Sequence, residues 1–320
     1  MNRHFNRIME RCARVYSRAK IGHVIFVAGF AAFVADTTLN AQKRLSAGDI
    51  DTITLHGTAK RILYGMDSLN FGDLRLPSGK GPFPMAVLVH GGCYFSPYAS
   101  VRNTAAMAEA LADAGIASWN VEYRRYDQAG GAWPGTFKDV ADGTDFVRTL
   151  AKTNPIDTTR VIAMGHSAGG QLALWLPTRS QLARGTPLYV ANPLRMTGVV
   201  ALGPITDMKE YQTRERDVCG NPAIETVMGG MPDSVPERYE MVSPIQRLPL
   251  RVRTVLIAGE KDGIAPRKAL DDYATTARAK GDSVRIITTP GEGHFEAIAP
   301  TRAAGKAAID AAKALVGIKD

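Results

Sequence analysis

Arg160-Val161-Ile162-Ala163-Met164-Gly165-His166-Ser167-Ala168-Gly169-Gly170 runs straight into Gln171-Leu172-Ala173-Leu174-Trp175-Leu176. An apolar run of strand type ends in Gly-His-Ser-Ala-Gly, and a helix-forming run takes over at once, so the segment reads as strand, sharp turn, helix. The pattern is Gly-x-Ser-x-Gly, in which a serine on a strained turn projects its hydroxyl from the top of a sheet. The flanking glycines have a steric reason. With the serine backbone held in an unfavourable conformation, the residues two before and two after it must be small for strand and helix to approach. Glycine and serine are common, so five residues alone say little. Their position between a strand and a helix makes Ser167 the candidate nucleophile rather than part of an ordinary glycine-rich turn.

Outward from this stretch, strand-like and helix-like segments alternate. Residues 51–56, 61–65 and 72–77 alternate polar and apolar and read as edge strands. Residues 84–89 form a continuous apolar run, the pattern of a central strand buried on both faces. An Ala-rich helix over 103–115, a strand over 116–123 and a helix over 136–153 follow, the last closed by Asn154-Pro155. Beyond the elbow come strands at 197–202, 253–258 and 284–288, with helices at 266–279 and 303–316. Such alternation implies right-handed crossovers and a doubly wound, mostly parallel α/β sheet. Residues 205–250 are proline-rich with no clear period, and read as a lid inserted into a single domain spanning 42–320.

Residues 1–41 stand apart. Arg3, Arg7, Arg11, Arg14, Arg18 and Lys20 precede an apolar run over 21–35, against Glu10 and Asp36 as the only acids. A basic stretch before an apolar run too short to span a bilayer reads as a signal peptide, giving a secreted or periplasmic protein with no stable membrane span after processing. An uncleaved leader acting as a membrane anchor is the alternative, since the arginines recur at helical spacing. This segment carries a net +4, half of the chain's +8. The remainder is a mildly basic surface without the Lys/Arg runs of a nucleic-acid partner. Of the three cysteines, Cys12 lies in the leader. Cys93 and Cys219 are too few for a disulfide framework, although a single bridge between them stays open, and no metal-type cysteine spacing is present.

Active groups of a doubly wound sheet collect beyond the carboxyl ends of its strands. After 84–89 stands His90-Gly91-Gly92-Cys93-Tyr94-Phe95. After the elbow strand stands Ser167. After 253–258 stands Gly259-Glu260-Lys261-Asp262-Gly263-Ile264-Ala265-Pro266, and after the last strand Pro290-Gly291-Glu292-Gly293-His294-Phe295. Together these resemble the α/β-hydrolase superfamily over about residues 50–318. The His-Gly-Gly loop, Asn120-Val121-Glu122-Tyr123-Arg124-Arg125, and Trp133-Pro134-Gly135 with Asp139 are similar to its carboxylesterase branch. That branch includes acetyl-xylan and feruloyl esterases, kynurenine-formamidase-like enzymes and hormone-sensitive-lipase-like esterases. The resemblance implies an α/β-hydrolase fold with an eight-stranded sheet, no cofactor and a small-molecule ester substrate.

Ser167 needs a base within reach of its hydroxyl. Of the six histidines, His4 and His23 lie in the leader, His56 on an edge strand, and His90 opens the His-Gly-Gly loop. His166 cannot fold back onto its neighbour's hydroxyl. His294, in a glycine-rich loop after the last strand, is the candidate base. The acid that orients it is expected to be Asp262, with Asp207 and Glu260 as competitors. The N–H of Ala168 is the first oxyanion donor, and the His-Gly-Gly loop supplies the others, from Gly92 and Cys93. Where the superfamily often has glycine or an aromatic, this chain has Cys93, and Tyr94 stands where tryptophan is frequent. His90 is expected to brace the loop, and Asp139 to anchor a loop or helix surface. Tyr94, Phe95, Trp133 and Tyr211 are candidate pocket residues, with ordinary packing as the competing reading. The expected function is a serine carboxylesterase acting on small or medium esters. An amidase or arylformamidase, a serine peptidase and a non-catalytic binding module are the alternatives.

Overall fold

The computed structural model describes residues 43–319. The expected leader and Cys12 lie outside the described residues. The strands are β1 (Lys60–Leu63), β2 (Phe71–Arg75), β3 (Phe83–Val89), β4 (Ala117–Val121), β5 (Ile156–His166), β6 (Gly198–Leu202), β7 (Arg253–Gly259) and β8 (Val284–Thr289). The helices are α1 (Ala47–Asp51), α2 (Val101–Asp113), α3 (Ala132–Asp145), α4 (Val147–Leu150), α5 (Ala168–Trp175), α6 (Met208–Gln212), α7 (Glu215–Cys219), α8 (Ala223–Met228), α9 (Pro236–Val242), α10 (Arg267–Ala279) and α11 (Ala303–Val316).

All eight strands join one sheet in the order β1-β2-β4-β3-β5-β6-β7-β8. β2 pairs antiparallel with β1 and with β4, and every other neighbouring pair is parallel. This is the eight-stranded, mostly parallel sheet expected. Successive strand residues face opposite sides, and in β3 Met85, Val87 and Val89 enter one buried cluster while Ala86 and Leu88 enter the other. The first cluster takes in Phe137 of α3, Leu172 of α5 and Leu270 of α10, the second Met107 of α2 and Leu315 of α11. Covered on both faces, the central strands are largely apolar, and the buried Ser118 and Asn120 of β4 donate to the Ala108 and Val101 carbonyls of α2.

Helix α5 follows the elbow, and every one of its residues is buried. Apart from Gln171, which accepts from Tyr94 and donates to the Val242 carbonyl, it is apolar, as suits a helix buried on all sides. Just beyond it, the fully buried Arg179 grips Asp145 at the end of α3 through two hydrogen bonds of 2.9 and 2.8 Å.

Two segments differ from expectation. Residues 51–56 form no strand: Ser46 caps α1, and extended chain follows. Side chains of α2 take up its backbone polar groups. Arg102 donates to the Asp51 and Ile53 carbonyls, and Glu109 accepts from the His56 and Gly57 N–H groups. With those groups satisfied, the segment needs no ladder partner. The expected helix over 136–153 begins earlier, at Ala132, and divides into α3 and α4.

Residues 205–250 fold into α6 to α9 and a short 3-10 turn, Pro244–Arg247, between β6 and β7. Helices α7 and α8 end at left-handed Gly220 and Gly229, a common stop that glycine adopts without strain. Among the described residues no helix is long and apolar enough to cross a membrane.

Candidate active site

Ser167 joins β5 to α5 with φ 56° and ψ −120°. A non-glycine residue at positive φ is strained and must be held by its surroundings. Its N–H donates to the Leu202 carbonyl at 2.8 Å. A Cβ at Gly165 would lie 2.0 Å from the Gly169 oxygen, and one at Gly169 would lie 2.2 Å from the Val89 oxygen. Both contacts are impossible, so the elbow closes only with glycine at these positions.

His294 stands in the loop after β8, and its Nδ1 lies 2.8 Å from Asp262 Oδ2. The other Asp262 oxygen accepts from the Ile264 and Ala265 N–H groups at 2.9 and 2.8 Å. Burial raises the Asp262 pKa, but the His294 charge and hydrogen bond and the two amides outweigh it, and the carboxyl lies below its ordinary value. An ionised Asp262 accepts the Nδ1 proton and leaves the His294 Nε2 lone pair free. The competing acids are engaged elsewhere. Asp207 caps α6 through the Lys209 and Glu210 N–H groups. Glu260 is exposed, accepts from Gly291 N–H and pairs with Lys261.

Gly203, just past β6, packs against the His294–Asp262 pair, a position that sequence reasoning missed. A Cβ there would lie 2.8 Å from His294 Nδ1 and 2.9 Å from Asp262 Oδ2, and its φ is +49°. The pair fits against this backbone because no side chain intervenes. Its sequence signal was the Gly-Pro step that ends a buried strand.

After β3, Gly92, Cys93 and Tyr94 all have positive φ (95°, 51° and 54°), which curls the chain beside the elbow. Among the described residues, the N–H groups of Gly92, Cys93 and Ala168 pair with no acceptor of the chain. The curl is braced from below. His90 Nε2 lies 3.0 Å from Glu122 Oε1, and its ring stacks on Tyr123 with centroids 4.4 Å apart. Tyr123 donates to the His90 carbonyl at 2.8 Å. Glu122 also pairs with Arg125 and accepts from Val101 N–H at the start of α2. Burial raises the Glu122 pKa, yet His90 and Arg125 overcome it and hold the carboxyl at about 2. Asp139 accepts from Arg124, main chain and guanidinium, and fixes the neighbouring loop.

The loop is also tied from above. Cys93 and Cys219 form a disulfide with Cα atoms 6.1 Å apart. The sequence left this bridge open without predicting it. It fastens the His-Gly-Gly loop to α7.

These groups border one cavity of about 570 Å³, whose lining includes Ser167, His294, His166, Gly92, the disulfide, Tyr98, Asn103, Asp217, Ile264 and Phe295. None of the four aromatic candidates lines it. Tyr94 is fully buried beneath the loop and donates to Gln171 Oε1 at 2.8 Å. Phe95 stacks on Tyr126, and Trp133 packs on Phe137. Tyr211 is buried with its hydroxyl 3.6 Å from Cys219 Sγ. All four serve packing, because the loop curl turns Tyr94 and Phe95 away and the insert buries Tyr211. Among the described residues no group of three or more acidic, histidine or cysteine side chains could hold a metal ion.

The BD-FAE family model matches residues 73–273, most of the chain. The chain belongs to the BD-FAE family. This is an α/β-hydrolase-type esterase family, which places this BD-FAE protein among ester hydrolases. No curated protein sequence matches it significantly. Solved structures share its fold. A truncated carbohydrate esterase from gut microbiota is 21% identical at a TM-score of 0.66, over 82% of this chain and 97% of that one. Esterase B from Lactobacillus rhamnosis is 17% identical at a TM-score of 0.67, over 81% and 86%. The propionate-bound esterase 2 of Thermogutta terrifontis is 18% identical at a TM-score of 0.64, over 81% and 95%. At these identities the likeness concerns the fold.

Proposed function

We propose that this BD-FAE protein is a serine carboxylesterase working through an acyl-enzyme. The observation that carries the reading is the Asp262–His294 hydrogen bond on the wall of the cavity that also holds Ser167. Ser167 Oγ attacks the ester carbonyl carbon while His294 Nε2 takes its proton. Asp262 holds the imidazole tautomer and stabilises the imidazolium. The carbonyl oxygen, now an oxyanion, receives hydrogen bonds from the N–H groups of Ala168, Gly92 and Cys93. As the tetrahedral species collapses, the C–O bond breaks and His294 returns the proton to the departing alcohol. Water, deprotonated by the same histidine, then attacks the acyl-enzyme and frees the acid and Ser167. A cavity of about 570 Å³ suits small to medium esters.

The test is Ser167→Ala assayed on p-nitrophenyl acetate beside a thermal melt. Hydrolysis is expected to vanish while the melt stays within a few degrees of wild type. Retained turnover overturns the reading.

We also propose export to an oxidising compartment. The Cys93–Cys219 bridge supports it, because disulfides persist outside the reducing cytosol, as does the signal-peptide pattern of residues 1–41. N-terminal sequencing of protein recovered from the periplasm or medium tests it, and a chain still starting at Met1 in the cytosol counts against it.

A further inference from the structure

Glu296, two residues beyond the proposed base His294, is 1% exposed, and the mechanism above gives it no part. Its side chain joins two separate segments. Oε2 accepts from Gly293 N–H at 3.0 Å, and Oε1 accepts from Leu45 N–H at 2.6 Å, 251 residues earlier in sequence. A buried charge is costly unless hydrogen bonds compensate it, so the two N–H groups and the carboxylate hold one another. The residue type matters. An ionised carboxylate accepts on both oxygens, whereas the amide of glutamine offers one acceptor and one donor. Two N–H groups meeting at one side chain therefore call for a carboxylate.

Both segments belong to the site. Gly293 directly precedes His294, so fixing its N–H fixes the peptide that leads into the base. On the other side of the ring's backbone, the His294 carbonyl accepts from His166 Nε2 at 3.0 Å. Asp262 orients the imidazole through Nδ1, while Glu296 and His166 hold the main chain from which that imidazole projects. Farther out, Glu260 accepts from Gly291 N–H, and Glu292 accepts from the Ala303 and Ala304 N–H groups at the start of α11. Of these three carboxylates Glu296 is the buried one.

Leu45 precedes Ser46, the cap of α1, and Ala47, the first residue of that helix, lines the cavity. Arg302 donates to the Lys43 carbonyl at 3.3 Å, and Ile50 enters the same buried cluster as Ala297 and Ile298. Residues 43–50 are thus docked along the turn that follows the base, and Glu296 is the polar link between the two.

We propose that Glu296 is a positioning residue, which sets the place of His294 by tying its loop to residues 43–47, so that this N-terminal segment is part of the active site. The inference rests on the esterase reading above. Without the tie His294 keeps Asp262 as its partner, but the main chain entering it is free to shift, and a misplacement of about 1 Å costs about 100-fold in turnover.

The test measures kcat and KM on p-nitrophenyl acetate, beside thermal melts, for wild type, Glu296→Ala, Glu296→Gln, Leu45→Pro and the Glu296→Ala/Leu45→Pro double variant. Proline has no N–H, so Leu45→Pro removes the donor without touching the histidine loop. Glu296→Ala is expected to lower kcat by about 100-fold with KM nearly unchanged. Glu296→Gln keeps one acceptor and should lose only about tenfold, the worth of one hydrogen bond. Leu45→Pro should also cost about tenfold alone, and almost nothing in the Glu296→Ala background, where the contact is already gone. Wild-type kcat in a folded Glu296→Ala or Glu296→Gln variant overturns the proposal, and a lowered melt beside that kcat confines Glu296 to stability. Equal losses from Leu45→Pro in both backgrounds overturn the tie to the N-terminal segment. Glu296→Gln takes the place of Glu296→Ala throughout if the latter fails to fold. Failure of the esterase reading is distinct: it shows as hydrolysis that survives Ser167→Ala.

Discussion

Removing the Cys93–Cys219 bridge perturbs stability and site together, and the two effects separate. The cystines are 126 residues apart in sequence. In the chain-entropy model, opening a loop of that length returns about 16 cal/mol/K to the unfolded chain, or ~5 kcal/mol at 25 °C. At an unfolding entropy of ~2.1 cal/mol/K per residue, some 280 folded residues give ~0.6 kcal/mol/K, so the melt should fall by about 8 °C. The assay is the thermal melt of a Cys93→Ser/Cys219→Ser double variant, with non-reducing peptide mapping of wild type to establish the bridge. Activity should fall as well. Cys93 is a proposed oxyanion donor, and losing one donor lowers turnover by ~10²–10³. Freed from α7, the loop keeps its His90 and Glu122 bracing, so the expected fall in kcat is smaller, about tenfold. A peptide map showing both thiols free, or a double variant melting with wild type, refutes the reasoning. An unchanged kcat with a lowered melt would confine the bridge to stability.

Gly203→Ala should lower kcat/KM about 100-fold, because its methyl would push the His294–Asp262 pair out of line and displacements of about 1 Å have this effect; unchanged ester kinetics would count against that packing. Glu122 has a folded pKa of about 2 against an ordinary 4.5, so it contributes stability that is complete above pH ~4.5 and lost as the pH falls toward ~2. That contribution is ~3 kcal/mol. Urea melts at pH 6 and pH 3 should therefore show Glu122→Gln and wild type converging in acid, and parallel curves would argue otherwise. Asp145→Ala leaves the buried Arg179 guanidinium unpaired and should destabilise by ~3–5 kcal/mol in urea unfolding, with the ester kcat changed less than twofold; a loss under 1 kcal/mol would mean that water or another acceptor replaces Asp145.

The sheet and the elbow were legible because each rests on local rules. Strands covered on both faces carry few polar residues, and only hydrogen-bonded ones, so β3 and most of β7 stand out as apolar runs. Gly165 and Gly169 are required by contacts within one strand, turn and helix. The segment 51–56 was misread because alternation reports a half-buried segment, and Ile53 is half-buried against the cluster that includes Ile50 and Met107 rather than in a ladder. What satisfies its backbone, Arg102 and Glu109, lies some fifty residues on.

The cavity wall was illegible for a related reason. A side chain enters the wall through the path of loops that have no period, and aromaticity says nothing of that path. Three successive positive φ angles turn Tyr94 inward, and helices of five to seven residues in the insert are too short to show an apolar face. The same curl that buries Tyr94 presents Cys93 to α7, and so places the disulfide on the cavity. The proposed oxyanion donors therefore depend on contacts on two levels: a buried Glu122–His90 network beneath, fixed by the sheet, and a covalent tie above, fixed by the insert. A loop braced only from below would have to hold the two strained residues Cys93 and Tyr94 by packing. The disulfide is a second attachment for that strain, and it anchors the insert to the loop that carries the proposed oxyanion donors.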